Sequence, residues 1–448
     1  MRSQANIVTV SGIARVTPPH RPNRSRRHTA TLQQLLDKHD GSTTDVSFRQ
    51  LVGPLPADDL THGIYPYPAR LIRHIPNFLF GAAQITDPIE FAVDPFCGSG
   101  TILLEAQRHG IPAYGFEQNP VAALITRVKT TPRDPDALRE ALTTLLSAAK
   151  SCRRKYEQPQ YLTKWYNQPA NSALSRLSVA KADSNNPQAS DFLDVVIALL
   201  ARRIAVTDPA IPVPVRVEDS PNHRISTADV WAKYLKIGHT LIDRIARISS
   251  SWPSSNVYCG DSRDNYLWSQ IPAKKEGVVF TSPPYGAAQK YVRSTSLEAG
   301  WLGFTPENGT INIERSSIGR EHIRKFDELR TDPRNFSTSL KRDLRRIGSQ
   351  SEQRQRIYEH YFADMHSVFN EISMCQNLNT IVLISGDNIV SRHNFPTSQH
   401  LSDMLATRGY DDVLKLTDSI RGRTLLTRRH RGSTPATLEY ITIFRRKP

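Results

Sequence analysis

One stretch constrains this chain more than any other: Phe91-Ala92-Val93-Asp94-Pro95-Phe96-Cys97-Gly98-Ser99-Gly100-Thr101-Ile102-Leu103-Leu104-Glu105. A short apolar run ends in an acid, turns through glycines and enters an amphipathic helix. In open α/β sheets that succession marks a ligand-binding corner, where the carboxyl end of a strand meets the amino end of a helix. Gly98 and Gly100 permit a tight turn and leave room for a ligand to approach the backbone. The spacing is not the dinucleotide pattern G-x-G-x-x-G, and no lysine follows the second glycine as in a phosphate-cradling loop. A second block, Thr281-Ser282-Pro283-Pro284-Tyr285-Gly286, directly follows another buried-type run, Gly277-Val278-Val279-Phe280.

At 448 residues the chain has room for one large α/β domain and an insertion. The net charge is +15, from 58 basic and 43 acidic residues, and the excess lies mostly at the two ends. Residues 1–30 carry Arg2, Arg15, Arg21, Arg24, Arg26 and Arg27 against no acid. Residues 421–448 carry Arg421, Arg423, Arg428, Arg429, Arg431, Arg445, Arg446 and Lys447 against Glu439 alone. The first cluster reads as a basic, poorly ordered tail; the second lies inside the fold and suits a phosphate backbone. Four scattered cysteines, Cys97, Cys152, Cys259 and Cys375, form no C-x-x-C pair, which argues against structural zinc and disulfides and for a reducing cytoplasm. The histidines show no metal-ligand spacing. No apolar run approaches membrane-spanning length and the N-terminus lacks an apolar signal core, so neither membrane nor secretion is expected.

Along the chain, residues 1–60 read as a basic N-terminal arm, partly disordered, with a short helix over Thr31–Lys38 capped by Thr31 or Thr29. The α/β alternation then occupies 61–129 and 253–448. Ala113-Tyr114-Gly115-Phe116-Glu117 is a second strand ending in an acid, and a third, Asn256–Cys259, is followed by Asp261. Between them, residues 130–252 carry helical patterns over Pro135–Glu157, Ala170–Ala182, Ser190–Ala205 and Ala228–Ile248, with Pro209–Pro221 too proline-rich for a central strand. This is a helical insertion. Residues 305–350 have no sheet pattern and mix many arginines with Asp, Ser and Asn, a candidate nucleic-acid-recognition loop region. Val413–Leu416 and Leu438–Phe444 read as a closing antiparallel pair.

The wording Asp-Pro-Phe-Cys-Gly-Ser-Gly-Thr resembles motif I of S-adenosylmethionine-dependent amino-methyltransferases, and Ser282-Pro283-Pro284-Tyr285 resembles their catalytic motif, (D/N/S)-P-P-(Y/F/W). His62–Arg70 resembles motif X, the segment ahead of motif I. The resemblance runs from about His62 to Phe444, outside 130–252 and 305–350. It implies a Rossmann-like class I methyltransferase fold with a seven-stranded, mostly parallel sheet. It implies S-adenosylmethionine as cofactor, held by Asp94, Pro95, Phe96, Gly98, Gly100 and Thr101, with Glu117 on the ribose, Asp261 on the adenine amine, and Tyr67 and Pro68 as cover. It further implies Ser282, Pro283, Pro284 and Tyr285 as catalytic residues, double-stranded DNA as partner, and a restriction endonuclease as the companion of such enzymes.

The chemistry of the second turn fits that implication. An exocyclic base amine is a poor nucleophile because its lone pair is delocalised into the ring. The Ser282 hydroxyl and Pro283 carbonyl can accept from its two N–H groups, the prolines stiffen the turn, and Tyr285 can stack on the base. A base inside a duplex reaches such a turn only when flipped out. Cys97 sits in the cofactor turn rather than the catalytic one and reads as packing. Ser at the first catalytic position is most typical of N4-cytosine enzymes, Asp or Asn of N6-adenine enzymes. The order here, His62–Arg70, the glycine turn, Glu117, Asp261 and then Ser282–Tyr285, departs from the reverse order of many Ser-Pro-Pro-Tyr enzymes. The rival readings are an adenine N6-methyltransferase, a tRNA guanine N2-methyltransferase, and a non-catalytic nucleic-acid-binding subunit. Intact acids at 94, 117 and 261 speak against the last.

Overall fold

The computed structural model describes residues 24–56, 59–68, 70–154, 156–286, 291–305, 309–324, 327–390, 392–419 and 438–448. Ten strands form in chain order: β1 (Thr44–Asp45), β2 (Phe91–Asp94), β3 (Ala113–Glu117), β4 (Ser255–Cys259), β5 (Gly277–Thr281), β6 (Leu378–Ser385), β7 (Asn388–Val390), β8 (His393–Phe395), β9 (Tyr410–Ser419) and β10 (Leu438–Arg446). Eight of them make one sheet in the order β1-β9-β10-β6-β5-β2-β3-β4, and β7 and β8 pair as a separate hairpin. Within the sheet β10 alone, among the described strands, runs antiparallel to its neighbours.

The central strands are apolar on both faces because both faces are covered. Phe91, Val93, Val279, Ile381 and Leu383 pack into one core with the 23-residue helix Glu352–Met374. Ala92, Val278, Phe280, Val382 and Ile384 pack into another with Phe78, Phe80 and Leu103. The two cores take alternate residues of each strand, as the pleat requires.

The expected seven strands become eight because Thr44–Asp45 pairs in parallel with β9, Thr44 opposite Leu416. The N-terminal helix also differs from expectation. It runs Arg26–Asp37 and is capped by Ser25, whose hydroxyl accepts from the His28 amide at 3.3 Å. Leu32 and Phe48 are fully buried, so this helix and the short helix Phe48–Val52 each dock one side chain into the core. Residues 1–23 lie outside the described ones, as do Arg421–Arg431.

Between β3 and β4 the described chain is helical: Pro120–Thr130, Pro135–Ser151, Gln168–Ala182, Pro187–Ile204 and Thr227–Ile245. Asn119, Asp134, Asn167 and Asn186 cap four of these helices, each with proline at one of the first two helical positions. Ser226 and Asp229 form a reciprocal capping box on the fifth. The first insertion helix stops at Ser151, short of the expected Glu157. The proline-rich stretch contributes one isolated bridge, Thr207 with Arg216, and no strand among the described residues. The insertion helices share one core with Ile64, Tyr65, Tyr67, Leu297 and Trp301.

Residues 305–350 hold more regular structure than a loop. They contain the helices Ile311–Ser316 and Thr338–Gly348. The second buries Leu340, Leu344 and Ile347 and leaves Arg342, Arg345 and Arg346 exposed on its outer side.

Candidate active site at the carboxyl rim of the sheet

Because β2, β3, β4, β5 and β6 run parallel, their carboxyl ends share one rim. The two glycine- and proline-bearing turns therefore stand side by side. A direct bond joins them: the Thr281 hydroxyl, at the end of β5, donates to Asp94 Oδ1 at 2.7 Å. The same oxygen accepts the Phe96 amide at 3.0 Å, which shapes the turn after β2. Thr281 was not among the residues expected from sequence, although it immediately precedes Ser282.

Gly98 and Gly100 hold φ of 51° and 74°, the left-handed region that only glycine enters without strain. At Gly100 a side chain would also collide with Thr126, 2.5 Å away. At Gly98 the space is open apart from Tyr67, whose ring edge lies 3.8 Å from where a Cβ would stand. Tyr67 and Pro68 are buried beside the turn, and Thr101 opens the helix Thr101–Arg108. Cys97 is buried against Gly115, where its Sγ would meet an added Cβ at 2.8 Å, so it packs the turn onto β3.

Glu117 closes the turn from the neighbouring strand. Its Oε2 accepts the Gly98 amide at 2.9 Å and its Oε1 the Asn119 amide at 2.8 Å. Each oxygen keeps a further lone pair for a ligand hydroxyl. Asp94 is 2% exposed, and burial pushes its carboxyl up to about 7, against the hydrogen bonds from Thr281 and Phe96 that favour its charge. Burial likewise raises Glu117 to about 7 despite the amides of Asn119 and Gly98.

Asp261 has company that the sequence reading lacked. Burial disfavours its charge, but Arg263 outweighs this and holds its pKa below the usual value. The Arg263 guanidinium reaches Asp261 Oδ1 through Nε at 2.8 Å and Oδ2 through Nη2 at 2.5 Å. Arg263 also donates to Asp364 and to the Ser316 carbonyl. Asp261 is thus oriented by a buried arginine two residues away, a partner that the spacing Asp-Ser-Arg alone does not reveal. Asp364 accepts in addition from Arg320 at 3.0 Å.

The proline turn is braced from both sides. Pro283 is buried, while Ser282, Pro284 and Tyr285 are half-buried. The Tyr358 hydroxyl donates to the Gly286 carbonyl at 3.2 Å. Gly319 lies against Pro284 and the Tyr285 carbonyl, 3.3 Å from the position of an added Cβ. Three residues before Gly319, the Ser316 hydroxyl accepts from Gln118 Nε2 at 2.8 Å. The stretch Ser316–Gly319 therefore runs along the rim from the end of β3 to the end of β5. Among the described residues no cluster of His, Cys, Asp and Glu is arranged to hold a metal.

No family model matches the chain. It is 33% identical over 132 residues to the Type II methyltransferase M.MvaI of Kocuria varians, covering 29% of each chain. It is 34% identical over 90 residues to the Type II methyltransferase M.MjaII of Methanocaldococcus jannaschii, covering 20% of this chain and 16% of that one. The curated relatives are Type II methyltransferases. They bear out the resemblance carried by the two motifs, and the match spans less than a third of their own length. No helix among the described residues is long and apolar enough to cross a membrane.

Proposed function

We propose that the chain is a site-specific DNA methyltransferase that transfers a methyl group from S-adenosylmethionine to an exocyclic base amine, cytosine N4. The observation that carries the reading is the bond between Thr281 and Asp94, which sets the Ser-Pro-Pro-Tyr turn beside the glycine turn on one rim. The similarity to Type II methyltransferases supports the reaction class.

The residues present fit the cofactor. An added Cβ at Gly98 would meet Tyr67 and the Phe96 carbonyl only at 3.8 and 4.0 Å, Glu117 at the end of β3 keeps acceptor capacity, and the Asp261 carboxylate, two residues past β4, is held by the Arg263 amide and guanidinium. S-adenosylmethionine supplies a methyl group activated on a sulfonium. In this reading Glu117 accepts from the ribose hydroxyls, Asp261 accepts from the adenine amine with Arg263 fixing its orientation, and Tyr67 and Pro68 cover the bound molecule. Asp94 fixes the cofactor turn through the Phe96 amide and Thr281.

Ser282 and the Pro283 carbonyl accept from the two N–H groups of the target amine and so localise its lone pair. Alignment of that amine is the largest contribution the protein makes. Tyr285 stacks on the extruded base, a contact of about 1–3 kcal/mol in single-strand binders. Serine at position 282 favours cytosine N4 over adenine N6. The test is to express the chain in a host free of DNA methylation and digest the DNA to nucleosides. N4-methylcytosine that vanishes with Ser282→Ala supports the reading, and methylated tRNA without methylated DNA removes it.

A further inference from the structure

The sequence leaves the helical insertion without a task, and a buried polar cluster supplies one. Glu298, fully buried on the helix Ser296–Trp301, accepts from the Tyr65 hydroxyl and from Arg202 Nη1, the latter at 3.1 Å. Arg202 belongs to the insertion helix Pro187–Ile204 and also donates to the carbonyls of Ser294 at 2.8 Å and Pro212 at 2.9 Å. One carboxylate thereby ties three stretches that are far apart in sequence: the segment ahead of β2, the insertion, and the helix that follows the catalytic turn.

The first of these stretches carries the cofactor cover. His62 is bonded to Glu105 at 2.7 Å, and Arg70 returns to the His62 carbonyl at 2.6 Å. Between them Tyr65 is held by Glu298, and the Tyr67 amide bonds to the Tyr65 carbonyl at 2.9 Å. Tyr67 then stands against Gly98. A buried, hydrogen-bonded ion pair has few alternative arrangements and is costly to break. Ile64, Tyr65 and Tyr67 share their apolar core with insertion residues such as Leu174 and Leu200.

We propose that Arg202 and Glu298 are positioning residues through which the helical insertion fixes Tyr65, and with it the Tyr67–Pro68 cover over the glycine turn, so that the insertion sets affinity for the cofactor rather than for DNA. The inference rests on the reading of the cleft as an S-adenosylmethionine site.

The test compares the parent protein with Tyr65→Phe, Arg202→Lys and the double variant. S-adenosylmethionine affinity is measured by calorimetry, and duplex affinity separately without cofactor. Each single change is expected to weaken cofactor binding by about tenfold, the scale of a buried hydrogen bond to a charged group. The double variant is expected to lose less than the product of the two, because both act through Glu298. Duplex affinity should stay within about twofold of the parent, as expected where no phosphate contact is lost. Folded variants that bind the cofactor as the parent does overturn the proposal. So does a loss of duplex affinity with cofactor binding intact, which would make the insertion a target-recognition module. Should the variants not fold, hydrogen exchange on the unaltered protein decides. Added cofactor is expected to protect the described residues of 62–68, 187–204 and 296–301 together, and protection confined to the glycine turn overturns the coupling. A parent protein that binds no S-adenosylmethionine removes the underlying reading itself.

Discussion

Asp94 and Glu117 are carboxyls held where burial disfavours their charge, both raised to about 7. A folded chain that binds these protons more tightly than the unfolded one gains stability from them at low pH. That gain is fully present below the unfolded pKa of about 4 and is lost as pH rises through about 7. Asp94→Asn keeps an oxygen for Thr281 and Phe96 while removing the charge. It is expected to stabilise the free protein by roughly 1–3 kcal/mol near pH 8, an advantage that shrinks towards pH 4. Urea unfolding across pH measures this, and equal effects at both ends would contradict the assignment of a raised pKa. A bound sulfonium cation favours the ionised carboxyls. S-adenosylmethionine affinity is therefore expected to rise between about pH 6 and about pH 8, by at most about tenfold per pH unit for each group. A flat profile in calorimetry would show that neither carboxyl changes ionisation on binding.

At the scale of elements, Arg263 and the helix Thr338–Gly348 carry separate consequences. Arg263→Gln takes the cation away from Asp261 and from Asp364, the latter buried to 2% exposure. Breaking a buried pair from one side typically costs about 3–5 kcal/mol, and here Arg320 still bonds to Asp364. A loss of about 2–4 kcal/mol in urea unfolding is expected on that scale; a loss within error would mean that the network does not brace the cleft. The helix Thr338–Gly348 presents Arg342, Arg345 and Arg346 to solvent, beside the helix that braces the proline turn through Tyr358. Replacing all three by Ala is expected to flatten the plot of log K against log salt for DNA by about 0.9 per lost phosphate contact, with cofactor affinity unchanged. Equal slopes for variant and parent remove this helix from the DNA path.

The elements that sequence reading placed well are those whose pattern is local. β2 and β5 are short apolar runs bounded by an acid or by prolines, and two of the insertion helices open on Asp134-Pro135 and Asn186-Pro187. What escaped it depends on partners distant in the chain. Thr44–Asp45 is a strand only because β9 offers an open edge. The helix at Arg26 starts early because the Ser25 amide finds the Gly81 carbonyl at 2.8 Å. Arg263, Arg202 and Glu298 gain their roles from carboxylates and hydroxyls that the fold, not the spacing, brings together.

For the whole molecule, the parallel strands gather the proposed site residues on one rim. β9 ends at Ser419 and β10 begins at its partner Leu438, while Tyr440 pairs with Ser385 at the end of β6. Ser419 and Leu438 thus stand on the rim that also bears Asp94, Glu117 and Ser282, and Arg421–Arg431 lie outside the described residues. The proposed activity of this rim is methylation of an exocyclic amine of a DNA base. Its most direct test is incubation of the purified protein with unmethylated duplex DNA and isotopically labelled S-adenosylmethionine, then mass spectrometry of the nucleosides. Label in N4-methylcytosine, absent with Ser282→Ala, is the expected result. Label in N6-methyladenine would contradict the choice of base, and label on cytosine carbon-5, or none in DNA, would rule out the proposed activity.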